Sequence, residues 1–124
     1  MKSAFTMIEL IFAIVIIGIL AAIAIPKLAA TRSDAEGAAV VSSLASCINE
    51  AGNRYMMVGS FSHYSQDDNA TPNCRKAREC FMLTENDSNG SLHVANKVST
   101  EKKCIEAQEI AARNLLTTTR TINF

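Results

Sequence analysis

Tryptophan is absent, and the 124 residues hold only two histidines, two prolines and five glycines. Neither His63 nor His93 has a nucleophile or carboxylate at interpretable spacing, and no Gly-rich phosphate loop is present. No enzyme and no cofactor are therefore expected. Excess charge of either sign is missing too: 12 basic residues balance 12 acidic ones. That balance excludes the electrostatic footprint of a nucleic-acid or anionic-membrane binder. The length allows one domain, with no room for a second core once an apolar segment is subtracted.

Apolar residues are present but unevenly placed. From Leu10 to Ile25 there is no charge and no strongly polar side chain, whereas the remainder reads as ordinary soluble protein. The pattern is an anchor followed by a small head. Three readings of the anchor compete. A secretory signal peptide would use Lys2 as its basic start and "AIA" at 22–24 as its cleavage site. The product would then be an exported binding module cut after Ala24. Against this, Glu9 stands at the front of the apolar run, which is longer than the usual ~7–15 residues. A plain transmembrane anchor needs about 20 residues, which Phe5 to Ile25 supplies. Lys2 before it and Lys27 and Arg32 after it hardly decide orientation. Glu9 stays unexplained, since a carboxylate in hydrocarbon is unfavourable without a partner.

The third reading accounts for that charge. The stretch "AFTMIEL" at 4–10, opening a long apolar run that reaches Pro26, resembles the processing site of type IV pilins and type II secretion pseudopilins. The resemblance is close over residues 4 to about 30 and only architectural beyond. It implies a leader of residues 1–4, cleavage by a prepilin peptidase between Ala4 and Phe5, and N-methylation of Phe5. Alanine at position 4 departs from the glycine usual there, but it is small enough for processing to be expected. Glu9 takes the place of the family's glutamate. The implied role is to neutralise the freed Phe5 amine of a neighbouring subunit, because two charges that are each unfavourable in an apolar bundle become tolerable as a pair.

The resemblance further implies a single-pass precursor in the bacterial inner membrane, its head in the periplasm. An inner-membrane assembly platform would then build it into a pilus or pseudopilus. Partners would be further copies of the chain and minor pilins or pseudopilins. Residues 5–28 would form the membrane and polymerisation half of a long helix, 29–58 its amphipathic half, and 59–124 the head. The calcium loop that some major pseudopilins carry near the C-terminus has no counterpart, since Thr117 to Phe124 contains no acidic residue.

The helical pattern continues past the anchor. Val41, Leu44, Ile48, Ala51, Tyr55 and Val58 step by three and four, a stripe expected to bury against the head. Ala35, Ala38, Ser42, Ala45 and Asn49 form a second stripe of small or polar residues, suited either to close helix approach or simply to helix propensity. Gly59 is the expected stop. A helix from Phe5 to Val58 would be about 80 Å long, so half of it is expected to project from the head. Pro26 removes one backbone hydrogen bond, and with Gly18 it marks the expected place for a kink.

In the head, residues 59–78 read as a loop, "ECFMLTE" and "SLHVANKVS" as strands, and "NDSNG" as the turn between them. "TEKKCIEAQEIAARNLL" reads as a helix with Thr100 as N-cap and Ile105, Ala112 and Leu116 on one face. "TTTRTINF" reads as a closing strand. The expected class is α+β: a long N-terminal helix on a small antiparallel sheet, with a short C-terminal helix.

Cys47, Cys74, Cys80 and Cys104 all follow the anchor, an even count that suggests disulfides in an exported head. Zinc is disfavoured because Cys74 and Cys80 are too far apart for a C-x-x-C knuckle and no H-x3-5-H pair exists. About three pairings are open; local spacing favours Cys74 with Cys80, leaving Cys47 with Cys104. "DDNAT" around Asn69 and "DSNGS" around Asn89 resemble the extended bacterial N-glycosylation acceptor, though turn chemistry alone explains both.

Overall fold

The structure is a computed structural model, and it describes residues 4–61, 70–114, 116 and 120–124. In chain order the elements are α1 (Met7–Val58), α2 (Pro72–Ala77), β1 (Phe81–Asn86), β2 (Ser91–Asn96), α3 (Lys102–Arg113) and β3 (Arg120–Asn123). This is the α+β architecture expected. The chain divides into two compact units, Met1–Arg32 and Ser33–Phe124.

The first unit is the apolar part of α1. None of its described residues is buried: the large apolar side chains run from 45% exposed at Ile16 to 80% at Met7. Helix formation here is local. The straight-chain and aliphatic residues tolerate it, Thr6 caps the first turn, and α1 continues through Pro26.

In the second unit α1 buries Gly37, Val40, Val41, Ser43, Leu44, Cys47, Ile48, Ala51 and Gly52. The expected stripe holds at Val41, Leu44, Ile48 and Ala51, with Tyr55 packed at its edge. It fails at Val58, the last helical residue, which is 62% exposed. The buried face is also wider than one stripe, since α3 and α2 reach α1 on different sides. At Gly37 an added Cβ would lie 3.0 Å from Glu106 Cβ and 3.1 Å from Ala107 N, so only the missing side chain lets α3 come this close. Of the small-residue stripe, Ala35, Ala38, Ser42 and Asn49 are exposed and Ala45 is half-buried.

The three strands form one antiparallel sheet in the order β1-β2-β3. Phe81 and Leu83 of β1, Leu92 and Val94 of β2 and Ile122 of β3 alternate onto the core side, as a half-buried sheet requires. The β1–β2 turn is built by its own side chains: Asn86 Oδ1 accepts the Ser88 N–H at 3.0 Å, and Gly90 supplies a φ of +62°.

Three expectations are corrected. Residues 59–78 are not all loop, because Pro72–Ala77 is helical. Thr71 accepts the Cys74 N–H and Pro72 takes the first helical position, where its missing N–H is harmless. The N-cap of α3 is Glu101, not Thr100, and its side chain makes no capping bond. The buried face of α3 is Cys104, Ala107 and Ala111, leaving Ile105 44% exposed. Small residues win that face because α3 lies directly on the α1 backbone at Gly37.

Candidate functional site

At the N-terminus, Ala4, Phe5 and Thr6 precede the helix and are exposed, so the Ala4–Phe5 bond lies in accessible, non-helical chain. Phe5 is 79% exposed. The Thr6 carbonyl accepts the N–H groups of Glu9 (3.1 Å) and Leu10 (3.2 Å), and its hydroxyl also accepts from Glu9 N at 3.3 Å. Thr6 and Glu9 thus occupy the N-cap and N3 positions of the T-x-x-E pattern, a helix-start signal that reading "AFTMIEL" only as a processing site passes over. Glu9 stands in the first turn, where its carboxylate meets the positive end of the helix dipole.

Beyond Glu9 the helix presents Leu10, Ile11, Phe12, Ile14, Val15, Ile16, Ile17, Ile19, Leu20, Ile23, Ile25 and Leu28 to the outside. Leaving such side chains in water forgoes roughly 1.5–3 kcal/mol each, tens of kcal/mol together. Such a surface suits hydrocarbon or the apolar faces of other helices. It is the one described helix long and apolar enough to cross a membrane. A Cβ added at Gly18 would meet nothing within 4 Å, and Pro26 lies inside the helix.

The remaining sequence-derived candidates lie in the second unit. All four cysteines are bonded and buried, but the pairs are Cys47–Cys74 and Cys80–Cys104, with Cα separations of 4.8 and 5.0 Å. This corrects the expected Cys74–Cys80 and Cys47–Cys104 pairs. Cys74 sits on α2 facing α1, while Cys80 lies past the end of α2 and faces α3, so tertiary placement outweighs spacing in sequence. Asn89 is exposed in the β1–β2 turn. Asn69 and His63 fall outside the described residues, and His93 is half-buried on β2. Among the described residues no group of His, Cys, Asp or Glu is arranged to hold a metal ion.

Sequence reasoning missed the two carboxylates that organise the head. Glu50, one turn past Cys47, accepts from Thr71 Oγ1 at 2.6 Å and from Asn73 Nδ2 at 2.7 Å, fixing the start of α2 beside the first disulfide. Asp87 accepts from Phe61 N at 2.6 Å and from Ser60 Oγ at 3.0 Å. The Thr71-Pro72 pair could have signalled the helix start; the long-range partners leave no trace in local pattern. Near the second disulfide, Lys103 Nζ pairs with Glu79 (2.9 Å) and Glu101 (3.3 Å), and these hydrogen bonds, that to Glu79 first, raise the lysine pKa.

Neither the curated proteins nor the solved structures include a match to this chain. One family model does match, over residues 1–25. Residues 1–25 carry the prokaryotic N-terminal methylation motif, the prepilin-type motif of type IV pilins and pseudopilins.

Proposed function

We propose that this chain is the precursor of a structural filament subunit of the type IV pilus or type II secretion pseudopilus kind. The single observation that carries the reading is the methylation motif standing at the head of a helix whose apolar surface is left uncovered. On this reading residues 1–4 are removed by a prepilin peptidase, and Phe5 becomes the methylated N-terminus. Residues 5–28 are stored in the inner membrane and then transferred into a bundle of identical helices on an assembly platform. The head of residues 59–124, carried on the amphipathic half of the helix at 29–58, faces the periplasm and afterwards the filament surface.

Glu9 supplies the chemistry of assembly. In the uncleaved chain Phe5 N is an amide nitrogen and carries no charge. Cleavage converts it into an α-amine that is protonated near neutral pH. Inside an apolar bundle that amine and a Glu9 carboxylate are each strongly disfavoured alone, so register in which they meet is selected over register in which they do not. Gly18 and Pro26 are the points at which the helix bends to fit its neighbours.

Intact mass and N-terminal sequencing of the mature protein test the proposal. A chain beginning at methylated Phe5 is expected; one beginning at Ile25 would establish secretory signal cleavage and sink the filament reading. Glu9→Ala should leave insertion and cleavage intact while impairing assembly, and normal filaments from that variant would show the charge pair to be dispensable.

A further inference from the structure

The β1–β2 turn contains the one Asn-Gly pair in the sequence, Asn89-Gly90. Asn89 is exposed, and its side-chain carbonyl oxygen accepts the Ser91 hydroxyl at 2.6 Å. Ser91 is only 5% exposed, so the fold holds that donor in place. Gly90, buried against the Tyr55 ring, has no side chain of its own between its nitrogen and Asn89, and its φ of +62° is a conformation that other residues rarely take.

We propose that Asn89 is a site of spontaneous self-modification, converted by its own neighbours into aspartate and isoaspartate. The Gly90 backbone nitrogen attacks Asn89 Cγ. A bond forms between that nitrogen and Cγ, the bond from Cγ to Nδ2 breaks, and ammonia departs carrying the proton lost by Gly90 N. Water then opens the five-membered imide at one or other of its two carbonyls. Opening at the side-chain carbonyl gives aspartate, and opening at the main-chain carbonyl gives isoaspartate. Ser91 contributes as a fixed donor to Oδ1, the oxygen that carries negative charge in the tetrahedral intermediate, the same logic by which preorganised donors stabilise oxyanions in catalysis.

The turn connects this chemistry to the rest of the head. Asp87, two residues away, already commits its carboxylate to Phe61 N and Ser60 Oγ. A second carboxylate at position 89 adds negative charge beside it. Isoaspartate inserts an extra backbone carbon ahead of Gly90, whose carbonyl accepts Phe124 N at 3.0 Å and whose Cα lies against the Tyr55 ring. Modification therefore loosens the joint between β3, the turn and the end of α1. Loss of Nδ2 also removes the only atom at this position that could accept a glycan.

The test is incubation of the full-length chain in detergent at mildly alkaline pH, followed by peptide mass mapping and isoaspartyl methyltransferase labelling. A gain of one mass unit confined to the peptide bearing Asn89 is expected, with label on the same peptide. Asn89→Gln should abolish both signals, and Ser91→Ala should slow conversion several-fold. The folded chain keeping Asn89 intact while a reduced, denatured sample converts would overturn the proposal. Conversion in Ser91→Ala as fast as in the parent would overturn the role of the hydroxyl.

Discussion

Asp87 Oδ1 accepts the backbone N–H of Phe61 at 2.6 Å, bridging 26 residues between the β-hairpin turn and the chain leaving α1. Phe61 is 1% exposed, so its N–H has no access to water and needs this acceptor. The second Asp87 oxygen takes the Ser60 hydroxyl, and the Tyr55 hydroxyl donates to the Asp87 carbonyl at 3.4 Å. Tyr55 in turn stacks on Phe61 at 4.7 Å, and Phe61 meets Phe124 edge-on at 6.0 Å. One turn residue thus organises the far end of the long helix and the C-terminal strand together.

Asp87→Ala is expected to destabilise the head by about 2 kcal/mol, because it strands a buried donor that had a charged acceptor. Asp87→Asn keeps an oxygen acceptor and should lose less. Denaturant midpoints of the two variants check the order; equal losses would show that the Phe61 bond contributes nothing.

Gly59 and Gly90 separate two reasons for glycine. Both have positive φ, +74° and +62°, but an added Cβ meets no described atom within 4 Å at Gly59 and falls 2.6 Å from the Tyr55 ring at Gly90. Gly59→Ala should lose only the left-handed penalty of roughly 1–2 kcal/mol. Gly90→Ala should lose that amount plus the displacement of Tyr55 from Phe61. Near-ultraviolet circular dichroism reads the second effect, and it should change in Gly90→Ala alone.

The disulfides Cys47–Cys74 and Cys80–Cys104 close segments of 27 and 24 residues. Loop-closure entropy gives each roughly 3–4 kcal/mol of stabilisation through the unfolded state. Non-reducing digestion should return those two cross-linked peptide pairs, and reduction should lower the unfolding midpoint sharply. Recovery of a Cys74–Cys80 peptide would contradict the placement of Cys74 against α1 and of Cys80 against α3.

Lys103 offers a pH test with a definite sign. Its Glu79 and Glu101 partners raise its pKa, so its contribution is complete below the unfolded lysine value and is lost as pH climbs through the higher folded value. The stability difference between parent and Lys103→Met should stay constant from neutral to mildly alkaline pH and shrink only above roughly pH 10.4. Because the pair is exposed, added salt should shrink the difference at any pH.

Much of the molecule was legible in local pattern. The methylation motif, the apolar run and the 3.6-residue stepping of Val41, Leu44, Ile48 and Ala51 depend on residues a few positions apart, as does the NDSNG turn. What stayed hidden depends on distance in sequence. The width of the buried face at Gly37 and Gly52 reflects what arrives from α3 and Phe124, and the partners of Glu50 and Asp87 lie more than 20 residues away.

By itself, then, the sequence determined that this chain has an apolar N-terminal helix led by a methylation motif, followed by a small α+β head. Those properties follow from hydrophobic spacing, propensity and a contiguous motif. Only the tertiary structure decided which cysteines meet, where α2 begins and which carboxylates pin the head. Those outcomes depend on which surfaces are brought together once loop entropy has been overcome, and no single stretch of residues encodes that. Alone, the four cysteines allowed three pairings; the packing of α2 and α3 on α1 selected one.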